Sequence, residues 1–149
     1  METENTTDRE IITTRLIDAP AALVWKAWTD PNHLKNWWGP NGFTNTFHTF
    51  ELKPGGLWDF TMHGPDGTNY KNTSQFIEID PIQQLIFDHL KPMHRFKVIT
   101  TFEPVGSKTK LTFRMIHPTV EEYLKVIDFV PAANEENFDR LEAELKKMH

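Results

Sequence analysis

Cysteine is absent from the 149 residues, which removes disulfide frameworks, thiol nucleophiles and cysteine-ligated metals together. Clustered positive charge is missing too. Sixteen Lys and Arg stand against 21 Asp and Glu, a formal charge of −5, so no basic surface is available to grip nucleic acid. No apolar run approaches the ~20 residues of a membrane-spanning helix. The opening METENTTDRE has neither the basic nor the apolar region of a secretory signal. A cytoplasmic protein, with neither membrane nor nucleic acid as partner, is the expectation.

Catalytic signatures are scarce as well. Gly-x-Ser-x-Gly and phosphate-cradling glycine motifs do not occur. The seven histidines, His33, His48, His63, His89, His94, His117 and His149, form no i, i+4 pair on a predicted helix and no His-x-His on a predicted strand, so neither a metal nor another cofactor is expected. Asp88 and His89 are neighbours on a predicted strand and therefore point to opposite faces, which prevents a direct acid–base pair. His89 is interior if Phe87 is, and His48 shares parity with Phe50 and Leu52. Histidines satisfied by backbone or water are the simpler reading than general bases.

What the chain has in quantity is rings: 11 Phe, 5 Trp and 2 Tyr. Their distribution follows a clear order. Residues 1–7 are polar and expected to fray, with one domain over 8–149. Asp8 to Ile17 alternates as an edge strand does. Leu23, Val24, Ala27 and Trp28 take helical spacing after Pro20, and Thr29–Asp30–Pro31 caps a second short helix carrying Leu34, Trp37 and Trp38. From Phe43 the period changes to two. Six strands follow, separated by Lys53–Pro54–Gly55–Gly56, Gly64–Pro65–Asp66–Gly67, Asp80–Pro81, a loop at Pro92, and Pro104 to Lys108.

The last thirty residues predict one long helix. Val120, Leu124, Ile127, Phe138, Leu141, Leu145 and Met148 fall on one face, and Thr119 with Glu122 makes a capping-box pattern. Pro131 should kink or split that helix. Asn134, polar where a core residue is expected, is either an interruption of the face or the N-cap of a second piece. Strands with one apolar face must cover it, and only this helix is long enough. The expected fold is α+β: a helix-grip, with a curved antiparallel sheet wrapped around the C-terminal helix and two short helices after the first strand.

Six ordered segments carry a resemblance: AspArgGluIle (8–11), TrpThrAspPro (28–31), TrpTrpGlyPro (37–40), LysProGlyGly (53–56), PheThrMetHisGlyProAspGly (60–67) and AsnPheAspArgLeu (137–141). Together they resemble the heat-shock-protein-90 ATPase activator homologue-like branch of the START and birch-pollen-allergen superfamily, over about residues 8–145. The resemblance implies the helix-grip fold, a hydrophobe-binding cavity between sheet and helix, and a stress-related setting. It brings no universal catalytic residues. The eukaryotic activator is similar to this chain only in its C-terminal domain, and its chaperone-contacting N-terminal domain has no counterpart here.

Trp37, Trp58, Phe60, Met62, Tyr70, Phe76, Phe87, His89, Phe96, Met115 and Asn134 are the candidate cavity lining, since methionines among rings suit an adaptable pocket. Trp25 and Trp38 are assigned to packing or partial exposure. The leading reading is non-catalytic binding of a small hydrophobic or aromatic molecule. A chaperone-associated interaction module, a homodimer, and a cyclase- or hydrolase-type enzyme using His89 or His48 remain open as alternatives.

Overall fold

The computed structural model describes residues 5–91 and 95–148. A 3-10 turn, Thr7–Arg9, leads into β1 (Glu10–Ile17). Two short helices follow, α1 (Ala21–Thr29) and α2 (Pro31–Trp37). The strands are β2 (Thr44–Phe50), β3 (Leu57–His63), β4 (Asn69–Asp80), β5 (Gln84–Lys91), β6 (Phe96–Val105) and β7 (Lys108–Ile116), and the chain ends with α3 (Val120–Val126) and α4 (Val130–Leu145). Among the described residues these make one antiparallel seven-stranded sheet in the order β1-β7-β6-β5-β4-β3-β2. Six strands form a meander and β1 closes it at the β7 edge, as its edge-strand pattern predicts. None of the described helices is long and apolar enough to cross a membrane. The predicted positions of Pro92, His94 and His149 lie outside the described residues.

Local chemistry explains most boundaries. Asp30 accepts a hydrogen bond from the Asn32 amide (2.9 Å) and Pro31 opens α2 behind it, an N-cap followed by proline in the first turn. Gly56 sits where a Cβ would lie 2.0 Å from the Glu51 carbonyl oxygen. Only glycine lets the Lys53–Gly56 turn fold back so closely, and from there Gly55 and Gly56 exchange hydrogen bonds with Phe76 on β4 (2.7 and 2.9 Å). A bulge falls between Phe47 and Thr49. The extra residue puts Phe47 and Phe50 on the same face, rings 5.9 Å apart, and leaves His48 exposed. The parity argument that placed His48 inside therefore fails at the bulge. His48 bonds Thr61 instead, at 2.8 Å.

The predicted single C-terminal helix is two helices. Pro131 cannot donate a backbone hydrogen bond and its ring would clash one turn back, so the chain breaks over residues 127–129 and Pro131 occupies the first turn of α4. Thr119 does cap α3, accepting from the Glu122 amide at 3.1 Å. The apolar phase is not carried across the break, however. Phe138, Leu141, Leu145 and Met148 are buried as predicted, whereas Val120 and Leu124 face solvent. α4 packs along β1 and against α1 and α2, while α3 rests on the 3-10 turn. Asn134 is not an N-cap; it is buried inside α4, and its Nδ2 reaches Thr13 Oγ1 at 3.2 Å and Met115 Sδ at 3.5 Å.

Most of the aromatic content fills the concave side of the sheet. Trp58 stacks on Phe60 with centroids 4.5 Å apart and lies parallel to Phe76. Trp28, Trp37, Phe113 and Phe138 continue that core toward α4. This interior is the helix-grip arrangement, with the grip shared between α4 and the break that precedes it.

Candidate functional site

Where α3 gives way to α4, the sheet is not fully covered. A cavity of about 620 Å3 opens there between Val126, Phe129 and Val130 on the helical side and Met62, Tyr70, His89, Phe96 and Met115 on the strands. Behind it is a smaller chamber of about 180 Å3, reaching Phe60, Phe87 and Phe113, with Trp38 and Gly39 on its α2 side. Met62, Asn72, His89, Phe96 and Met115 border both spaces, so they form one site with a mouth and an inner end. Its total size falls in the range of small-molecule pockets.

Strand register builds the floor. Trp58 faces Ser74, Ser74 faces His89, and His89 faces Phe96 across four neighbouring strands. Phe87 is buried, so by alternation His89 is an inward-facing group, and its ring stacks on Phe96 at 4.6 Å. Phe96 in turn lies 5.6 Å from the buried His117 ring, tilted by 37°, so the three rings form a row along the floor. At the rim Lys125 Nζ pairs with Glu122 Oε1 at 3.2 Å. Asp88, on the opposite face, does not enter the cavity. Among the described residues no group of three His, Asp or Glu side chains gathers as metal ligands.

The wall on the α2 side is a loop held from α4. Gly39 donates its amide to Asn137 Oδ1 (2.9 Å) and Asn41 donates to Glu136 Oε1 (3.0 Å). The half-buried Arg140 guanidinium donates to the carbonyls of Asn36, Trp38, Gly39, Pro40 and Phe43, at 2.8–3.3 Å. Burial lowers the Arg140 pKa. Gly39 has φ +100°, a conformation that favours glycine, and a Cβ there would push on the Met62 methyl at 2.7 Å.

Of the predicted lining, Phe60, Met62, Tyr70, Phe87, His89, Phe96, Met115 and Asn134 border the site. Trp37, Trp58 and Phe76 do not; all three are packed into the core. The two adjacent tryptophans are exchanged relative to expectation. Trp37 ends α2 with its indole N–H donated to the Ala27 carbonyl at 3.0 Å. Trp38, already extended at φ −67°, ψ 130°, turns toward the sheet and touches the rings of Trp28, Trp58, Phe87 and Phe113. Helical parity no longer applies one residue past the helix end. Asn72, Ser74 and His117 were missed, although the same alternation that selects Tyr70, Phe76 and Met115 places them on the inner face.

Residues 18–146 match the family described as Activator of Hsp90 ATPase homolog 1-like protein. No curated protein gives a significant match. Among solved structures, a protein from Arthrobacter aurescens is 25% identical with a TM-score of 0.88, covering 97% of this chain and 90% of that one. One from Nitrosomonas europaea is 23% identical with a TM-score of 0.86, covering 95% and 96%. The AHSA1 protein from Silicibacter pomeroyi is 21% identical with a TM-score of 0.77, covering 94% and 99%. Likeness at these levels of identity speaks for the fold.

Proposed function

The chain belongs to the Activator of Hsp90 ATPase homolog 1-like family, whose fold commonly holds hydrophobic ligands, and from that premise we propose that it binds a small, mostly apolar molecule under the α3–α4 break without turning it over. The observation that supports this reading best is the cavity itself: about 620 Å3 of space, walled mainly by rings and methionines and continuous with an inner chamber. Burying an apolar ligand there contributes on the order of 25 cal/mol per Å2 removed from water. The methionines at positions 62 and 115 let the wall adapt to different outlines.

Thermal shift with naphthalene, indole and biphenyl tests the proposal. A ligand that binds only the folded chain stabilises it by about 2.7 kcal/mol at a hundredfold excess over its Kd, so melting should rise with concentration. Met115→Trp places a larger ring where both chambers meet. It should abolish those shifts while the variant still melts cooperatively. Absence of any shift in the parent protein, or shifts unchanged in the variant, overturns the proposal.

A further inference from the structure

The inner chamber is apolar in its rings but not in its corners. Asn72, Ser74, Asn134 and Asn137 border it, and each is more than nine-tenths buried. Buried polar groups ordinarily find partners, and two of these are only partly satisfied. The Ser74 hydroxyl has no hydrogen-bond partner among the described residues. Asn72 donates its Nδ2 to the Tyr70 carbonyl at 2.9 Å, which fixes the amide orientation and leaves Oδ1 as an acceptor without a partner among the described residues. Positions 72 and 74 are two apart on the inner face of β4, roughly 7 Å along the strand, and both border the inner chamber.

Resting on the binding function proposed above, we infer that the inner chamber receives the hydroxylated end of a flat aromatic ligand, its hydroxyl bridging Ser74 and Asn72. A neutral hydroxyl matches the pair because it donates to Asn72 Oδ1 while accepting from Ser74 Oγ–H. A carbonyl or carboxylate oxygen would meet the Asn72 acceptor with no proton to offer, and among the described residues no lysine or arginine lines the inner chamber to hold an anion. The size agrees. About 180 Å3 equals the share of roughly six waters in the liquid, enough for one six-membered ring. An aromatic ligand suits the ring-rich lining, in which Phe60, Phe87, His89, Phe96 and Phe113 all border the chamber. The remainder of the ligand occupies the outer cavity, where the lining is dominated by rings and aliphatic side chains.

A matched pair of probes separates this inference from the function it rests on. 2-Naphthol and 2-methylnaphthalene have nearly the same outline and differ in the hydroxyl. By isothermal titration calorimetry the parent protein should bind 2-naphthol about three- to tenfold more tightly, the worth of one well-placed hydrogen bond. Ser74→Ala, which removes a single oxygen, and Asn72→Leu should each erase most of that preference, read as the ratio of the two affinities. Equal affinities for the two probes in the parent, or a preference that survives both substitutions, overturns the hydroxyl assignment and leaves apolar binding standing. Failure of both probes to bind overturns the binding function and this inference with it.

Discussion

Arg140→Met is expected to unfasten the loop that walls the inner chamber. In the native protein one guanidinium nitrogen donates to the carbonyls of Trp38, Gly39 and Pro40, and the other to those of Asn36 and Phe43. No carboxylate pairs with Arg140 among the described residues, so its role is to satisfy backbone acceptors that the irregular chain from α2 to β2 cannot satisfy itself. Hydrogen bonds from a charged donor contribute about 1.5–3 kcal/mol when strong. Five acceptors share two nitrogens, so the contributions do not add, and methionine also removes the desolvation cost of a half-buried cation. The net expectation is a loss of about 2–4 kcal/mol, read from urea denaturation. In a chain of this size that lowers Tm by about 4–16 °C. Arg140→Lys keeps the charge but not the planar fork, and should recover less than half of the loss. Hydrogen exchange localises the effect: the amides of Gly39 and Asn41, bonded to α4 through Asn137 and Glu136, should lose protection before those of β6 and β7. A loss under about 1 kcal/mol for Arg140→Met, or a lysine variant as stable as the parent, would refute the view that this residue fastens the wall.

Two further substitutions probe the fold. Leu141 is fully buried on the sheet-facing side of α4, and Leu141→Ala should cost about 2–5 kcal/mol in equilibrium denaturation; a loss below half a kcal/mol would mean the α4 face is wrongly identified. The Glu10 carboxyl is pulled upward in pKa by burial, but hydrogen bonds from Arg114 (2.6 Å) and Thr6 (2.8 Å), with the charges of Arg114 and Arg9, hold it below its ordinary value of 4.5. Its folded pKa is therefore below the unfolded one, so the stabilisation is complete above the ordinary value and is lost as pH falls through the folded value. Glu10→Gln should accordingly be less stable than the parent by about 1–2 kcal/mol at pH 7, with the difference shrinking below pH 4.5. A difference that stays constant down to pH 3 would contradict the ionic origin.

The architecture was legible because it depends on patterns that survive without tertiary detail. Alternation located seven strands, and Thr29–Asp30–Pro31 and Thr119–x–x–Glu122 located two helix starts. What failed did so where the chain departs from regular geometry. The bulge at Phe47–Thr49 inverts the parity that would have put His48 inside. The α2 terminus exchanges the roles of Trp37 and Trp38. The break before Pro131 shifts the helical phase, so Val120 and Leu124 face water although their spacing matches Phe138 and Leu141. Each miss is one residue or a few in extent, yet each changes which side chain enters the cavity. Ring content separates core from cavity poorly, since Trp58 and Phe76 are buried in the core while the exposed Tyr70 borders the mouth.

Two of the weak sequence motifs turn out to be halves of one device. TrpTrpGlyPro, residues 37–40, is the segment whose amide and carbonyls are taken by AsnPheAspArgLeu, residues 137–141, through Asn137 and Arg140. In the same motif Phe138 and Leu141 fill the core beneath. Two positions in one turn of α4 thus hold the loop while two others anchor the helix, and Gly39 supplies the positive φ at which the held loop turns. Separately neither motif names a chemistry, because the groups they supply bond to each other. Their joint effect is to fasten the connection between α2 and β2 to α4 beside the inner chamber. That explains why strongly spaced residues in this chain need not be catalytic: Asn137 and Arg140, which look most deliberate in the sequence, support the wall, whereas Asn72 and Ser74, which also border the chamber, lie on a strand with no motif at all.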